Sequence, residues 1–130
     1  MANILIVDDE PSIRELFRYV FEEAGHAVAL AGNGSEALAL LQEELPEFIL
    51  LDVAMPVMSG REFVGELARL GARDGRFRGI PFVVMTGENY LDKELNEVFT
   101  SAAGFVCFFP KMIPPDEVLR KAEGILLARG

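Results

Sequence analysis

Residues Phe48-Ile49-Leu50-Leu51 form an apolar run with no polar residue interleaved, and the run closes on Asp52, followed by Met55-Pro56 and Ser59-Gly60. A strand with one wet face alternates apolar and polar residues, whereas an unbroken apolar run belongs to a strand covered on both faces, as in a parallel sheet between two helical layers. Ile4-Leu5-Ile6-Val7 repeats the pattern and stops at Asp8-Asp9-Glu10-Pro11. Open parallel sheets build their sites at the carboxyl ends of their strands, so Asp52 is the residue to explain. A carboxylate presented there beside other acidic groups can hold a metal ion or act as a nucleophile toward a phosphoryl group.

The remaining segments predict alternation of strand and helix along the whole chain. Pro11 suits the first turn of a helix, where its missing N–H costs nothing, and Ile13, Leu16, Phe17, Val20 and Phe21 follow with helical spacing. Gly25 ends that helix, residues 27–31 read as a second strand, and Gly32-Asn33-Gly34 reads as a loop. Ser35 is the expected N-cap of a helix with Ala37, Leu38, Leu41 and Leu45 on its inner side, stopped by Pro46. Ser59 and Glu62 have the spacing of a capping box before a helix with Phe63, Leu67 and Leu70 inward. Residues 71–79, with Arg73, Arg76 and Arg78 among glycines, read as a flexible loop, its arginines solvated or offered to an acidic partner.

A fourth strand is expected over 80–85, ending at Thr86-Gly87, and then a helix carrying Leu91, Leu95, Val98 and Ala102. A fifth strand over 105–109 ends at Pro110, which marks it as an edge because proline cannot donate to a ladder. Lys111 follows, and Pro114-Pro115-Asp116-Glu117 opens a last helix with Val118, Leu119, Ala122, Ile125 and Leu126 inward. His26 reads as a surface residue and Cys107 as a small core residue. Right-handed crossovers place helices on both faces of such a sheet. The expected fold is therefore an α/β three-layer sandwich, a five-stranded parallel sheet with five helices, in one domain spanning residues 1–130.

Composition narrows the function. A net charge of -9 argues against unaided binding to nucleic acid or anionic membrane. Apolar runs fall short of the roughly 18 residues that cross a bilayer, and the first ten residues carry acidic groups where a signal peptide would be basic, so a cytoplasmic location is expected.

With all strands parallel, Asp8, Asp9, Asp52, Thr86 and Lys111 share one rim. Three clustered carboxylates repel one another and call for a cation, for which Mg²⁺ is the natural candidate: it is hard, oxygen-seeking and able to share its sphere with phosphate. Lys111 and the Thr86 hydroxyl would meet the equatorial oxygens of a phosphoryl group attacked by Asp52.

Asp8-Asp9 after the first strand, Asp52-x-x-Met55-Pro56-x-Met58-x-Gly60, Thr86-Gly87 after the fourth and Lys111 after the fifth together resemble the receiver domain of two-component response regulators. The resemblance covers essentially the whole chain and implies the flavodoxin-like strand order 2-1-3-4-5. It further implies Asp52 as phosphoacceptor, and Mg²⁺ held by Asp9, by Asp8 largely through water, by Asp52 and by the backbone carbonyl of Ala54. Thr86 would be the switch hydroxyl and Phe108 the aromatic that follows it. The implied donor is a sensor histidine kinase or histidine phosphotransfer protein. The implied output is a protein target, reached through the face of the fourth helix, fifth strand and fifth helix, with homodimerisation left open. The protein would catalyse its own phosphorylation and dephosphorylation without being a conventional enzyme. Two departures are visible: receivers usually carry proline after the lysine, and here Met112 follows Lys111; and the segment from Asp52 to Thr86 is a few residues longer than usual, with the surplus expected in the loop at 71–79.

Two other readings remain. The fold could serve as a phosphorylation-independent interaction scaffold. Gly32-Asn33-Gly34-Ser35-Glu36-Ala37 also fits G-x-G-x-x-A, the fingerprint of a dinucleotide-binding domain.

Overall fold

The structure is a computed structural model that describes residues 2–53, 55, 57–87 and 93–129, excluding the side chains of 93–96 and 129. Five strands, β1 (Asn3–Val7), β2 (Ala27–Ala31), β3 (Phe48–Asp52), β4 (Phe82–Thr86) and β5 (Phe105–Pro110), alternate with five helices. These are α1 (Pro11–Glu23), α2 (Gly34–Glu43), α3 (Gly60–Arg73), α4 (Lys93–Thr100) and α5 (Pro115–Arg129). All pairings are parallel, in the order β2-β1-β3-β4-β5, the flavodoxin-like arrangement. Among the described residues no helix is long and apolar enough to cross a membrane.

The unbroken apolar runs hide a period of two that divides the core. Leu5, Val7, Ile49, Leu51, Phe82 and Val84 face α2 and α3, packing on Leu41, Phe63 and Leu67. Ile4, Ile6, Phe48, Leu50, Val83 and Met85 face α1 and α5, packing on Phe17, Phe21, Val118 and Ala122. Each large side chain buried in this way contributes about 1.5–3 kcal/mol of transfer free energy.

Register sets the rim. Val7 stands beside Leu51, Asp52 beside Met85, and Thr86 beside Pro110, so β1, β3, β4 and β5 end at one level. A β-bulge on β5, where Phe82 pairs with Phe105 but Val83 with Cys107, adjusts the last strand to that level.

Local chemistry differs from expectation at five places. Asn33, not Ser35, caps α2, its Oδ1 accepting the Glu36 N–H at 2.9 Å, because Asn caps as well as Ser and Gly34 is needed inside the first turn. The same helix ends at Glu43, leaving Leu45 37% exposed, not inward. The segment expected to be a flexible loop is folded. α3 continues to Arg73, a 3-10 turn spans Gly75–Phe77, Phe77 is buried, Arg76 pairs with Asp74 and Arg78 donates to Gly71 O. β4 begins at Phe82 because Pro81 has no N–H to give, although its carbonyl still accepts from Ile49.

His26 is not a surface residue either. Its side chain is 9% exposed, Nδ1 accepts the Ala2 N–H at 3.2 Å and Nε2 lies 3.1 Å from Glu123 Oε2, tying the start of β1 to α5. The capping box at Ser59 and Glu62 forms as expected. For α4, Leu91 lies outside the described residues, as does the Leu95 side chain, while Val98 and Ala102 pack on the core.

Candidate functional site

At the rim, Asp8, Asp9 and Asp52 each offer a carboxylate oxygen, all within 4.8 Å of one another. Asp52 is 1% exposed and Asp8 4%, whereas Asp9 is open to solvent. Asp8 is fixed locally, since its Oδ1 accepts the Glu10 N–H at 2.9 Å in the turn that starts α1. Lys111 reaches in from the end of β5, its Nζ 3.0 Å from Asp52 Oδ1. That contact is an ion pair, and among the described residues neither buried Asp52 oxygen has a well-directed hydrogen-bond partner.

The charges of the pocket do not balance. Burial first, then the neighbouring Asp8, pushes the Asp52 carboxyl up to about 7 from its usual 3.8, against the pull of Lys111. Burial also raises Asp8, opposed by the Glu10 hydrogen bond. Burial acts to lower Lys111, yet Asp52, Asp8 and Glu10 together outweigh it and the ammonium is raised. Burial leads for the two acids and the neighbouring carboxylates raise the lysine, and both leave a pocket that gains from taking up a proton or a cation. Three converging carboxylates, one of them buried with a single ammonium against it among the described residues, fit a hard oxygen-seeking divalent ion such as Mg²⁺.

The other expected residues lie as follows. Thr86 is buried at the tip of β4. Phe108 is half-buried on β5, its ring centroid 6.0 Å from Phe99 of α4 and 5.0 Å from Phe105. Ala54 lies outside the described residues. The structure contains no cis peptide among the described residues, so Lys111 enters the pocket through a trans bond to Met112, which is 93% exposed.

One contributor, Arg14, is not among the residues that the sequence singles out. Arg14, one turn into α1, donates from Nη1 to the Asp8 carbonyl at 2.7 Å, bracing the strand tip from behind. Its signal was a cation placed one helical turn after the acidic pair. The Gly32-Asn33-Gly34 motif serves packing. The Gly34 N–H, which a pyrophosphate would need, donates to Met58 O at 3.0 Å. The turn after β1, where such folds place a dinucleotide fingerprint, carries Asp8-Asp9-Glu10.

Comparison with known proteins matches residues 4–123 to the response regulator receiver domain. The chain is 34% identical over 126 residues to an uncharacterized 14.6 kDa protein of Leptolyngbya boryana, covering 97% of this chain and 91% of that one. It is 29% identical to PilH of Pseudomonas aeruginosa, covering 97% of this chain and 98% of that one. It is 33% identical to Response regulator Rre1 of Synechocystis over 89% of this chain, spanning 48% of the relative. Among solved structures, the chemotaxis response regulator CheY4 of Vibrio cholerae aligns with a TM-score of 0.81 at 30% identity, covering 96% of this chain and 98% of that one. A five-stranded parallel fold, an acidic rim facing one lysine, and a match over nearly the full length lead to one conclusion: the chain belongs to the response regulator receiver domain family.

Proposed function

We propose that residues 1–130 act as one receiver domain that accepts a phosphoryl group on Asp52 from the phosphohistidine of a sensor histidine kinase or histidine phosphotransfer protein. Receiver domains of response regulators receive phosphoryl groups from kinases. The observation that carries the assignment to Asp52 is its position within 4.8 Å of two further carboxylates and 3.0 Å from the Lys111 ammonium.

An Asp52 oxygen attacks phosphorus and forms the new P–O bond. The P–N bond to the donor imidazole breaks, and the ring nitrogen leaves with the electron pair. Asp8, Asp9 and Asp52 would hold Mg²⁺, with the Ala54 carbonyl as a further ligand. When bound, the ion supplies a hard positive centre beside the phosphoryl oxygens. Held beside that cation and Lys111, the Asp52 carboxyl would stay ionised as the nucleophile at neutral pH. Lys111 offsets charge on the equatorial oxygens and Thr86 donates its hydroxyl to one of them.

The modified carboxyl carries roughly 1.5–2 negative charges at pH 7. Thr86 and Phe108 respond, and the contact of Phe108 with Phe99 supports transmission to the face of α4, β5 and α5, where a protein target docks. Hydrolysis of the acyl phosphate at the same pocket would reset the domain.

Intact-mass measurement after treatment with a small phosphodonor tests this. Wild type should gain a single phosphoryl group in Mg²⁺ and none in EDTA, and Asp52→Asn should gain none in either. Labelling of Asp52→Asn, or no labelling of wild type, would refute the assignment, and the latter would favour a scaffold.

A further inference from the structure

The turn entering α2 and the loop between β3 and α3 meet in close contact. Gly34 donates its N–H to Met58 O, and a Cβ on Gly34 would stand 2.8 Å from Met58 Cγ and 3.0 Å from both Met58 O and Sδ. The other end of the loop is held on the nucleophile's own strand. The Gly60 N–H donates to Val53 O at 2.8 Å, and Gly60 lies so close to Asp52 O that a Cβ there would overlap it.

Between these two anchors Val57 has φ 68°, a left-handed conformation that a β-branched residue adopts only under constraint, yet its side chain is 82% exposed. Such strain persists where surrounding contacts over-determine the backbone. The Gly34 contact holds the residue that follows it, and the Gly60–Val53 hydrogen bond closes the loop around it.

We infer that Gly34 is a positioning residue for the acidic pocket, setting the divalent-cation affinity of Asp8, Asp9 and Asp52 through Met58 and the β3–α3 loop. The inference rests on the metal-binding part of the function proposed above. The turn is the firmer partner: Asn33 caps α2, Glu36 accepts the Gly32 N–H at 2.8 Å, and Ala37 is fully buried. A methyl group on Gly34 is therefore accommodated by the loop. A contact near 2.8 Å must open by about 0.5 Å, which equals the tolerance within which a binding constellation has to be held. Residues that orient metal ligands typically change affinity by about 10–100-fold when altered.

Isothermal titration with Mg²⁺ on the whole chain, at pH 8 with each variant verified as folded by circular dichroism, tests the inference. Gly34→Ala should weaken Mg²⁺ binding by about tenfold. Gly34→Ala/Met58→Ala, which removes the side-chain part of the overlap, should recover part of that loss. Gly65→Ala, on α3 with open space around it, should bind as wild type does. Should Gly34→Ala alone not fold, Met58→Ala and the double variant provide the same comparison, with the double variant the weaker.

Wild-type affinity in Gly34→Ala, or no recovery in the double variant, overturns the role of Gly34. Absence of Mg²⁺ binding by wild type overturns the metal reading itself.

Discussion

Replacing Asp52 by asparagine should stabilise the metal-free protein, and the gain should depend on pH in a way that identifies its source. Asp52 is buried beside Asp8, and its carboxyl is raised from 3.8 to about 7 in the folded state. Between those values the native state holds a proton that the unfolded chain releases, so wild-type stability falls as pH rises. At about 1.4 kcal/mol per pH unit, the full penalty of ionising Asp52 in the folded protein approaches about 4 kcal/mol above pH 7.

Asparagine removes that penalty and keeps an oxygen for Lys111, and the pull of Lys111 is already part of the net rise to about 7. The expected gain at pH 8 is therefore up to about 4 kcal/mol. At pH 5, about one unit above the usual 3.8, only about 1.6 kcal/mol of that penalty has accrued, so the advantage of asparagine should shrink by more than half. Urea unfolding in EDTA followed by circular dichroism suits a chain without tryptophan. Added Mg²⁺ should stabilise wild type selectively, because only a ligand of the native state shifts the equilibrium. A variant less stable than wild type at pH 8, or an offset equal at pH 5 and pH 8, would refute the account of the pocket as a site of excess negative charge.

Two further substitutions probe features on either side of the sheet. Val57→Asn should raise stability by about 1 kcal/mol, since a left-handed backbone costs an L-residue about 1–2 kcal/mol, asparagine tolerates it, and the exposed valine loses little packing. A urea midpoint at or below that of wild type would show the loop to be unstrained. His26→Ala should cost about 1–3 kcal/mol by leaving the Ala2 N–H without its acceptor and removing the contact with Glu123. Thermal unfolding indistinguishable from wild type would return His26 to the status of a surface residue.

Much of this protein is written locally. Unbroken apolar runs at 4–7 and 48–51 specify doubly covered strands whatever surrounds them, and a proline at 110 marks an edge because it lacks a donor. Ser59 and Glu62 cap α3 from within a four-residue window. Once the strands are parallel, residues following them share a rim, which is why Asp8, Asp9, Asp52, Thr86 and Lys111 were legible as a group.

What remained hidden depends on groups distant in sequence. Asn33 rather than Ser35 caps α2 because Gly34 has to meet Met58, a contact that only the packed β3–α3 loop supplies. His26 is drawn inward by Ala2 and Glu123, and the arginine-bearing segment is ordered by Phe77 entering the core. The affinity of the pocket for positive charge is likewise tertiary. An aspartate has an ordinary acidity as sequence, and only its burial against a second carboxylate, with one ammonium for several acids, raises it toward neutrality.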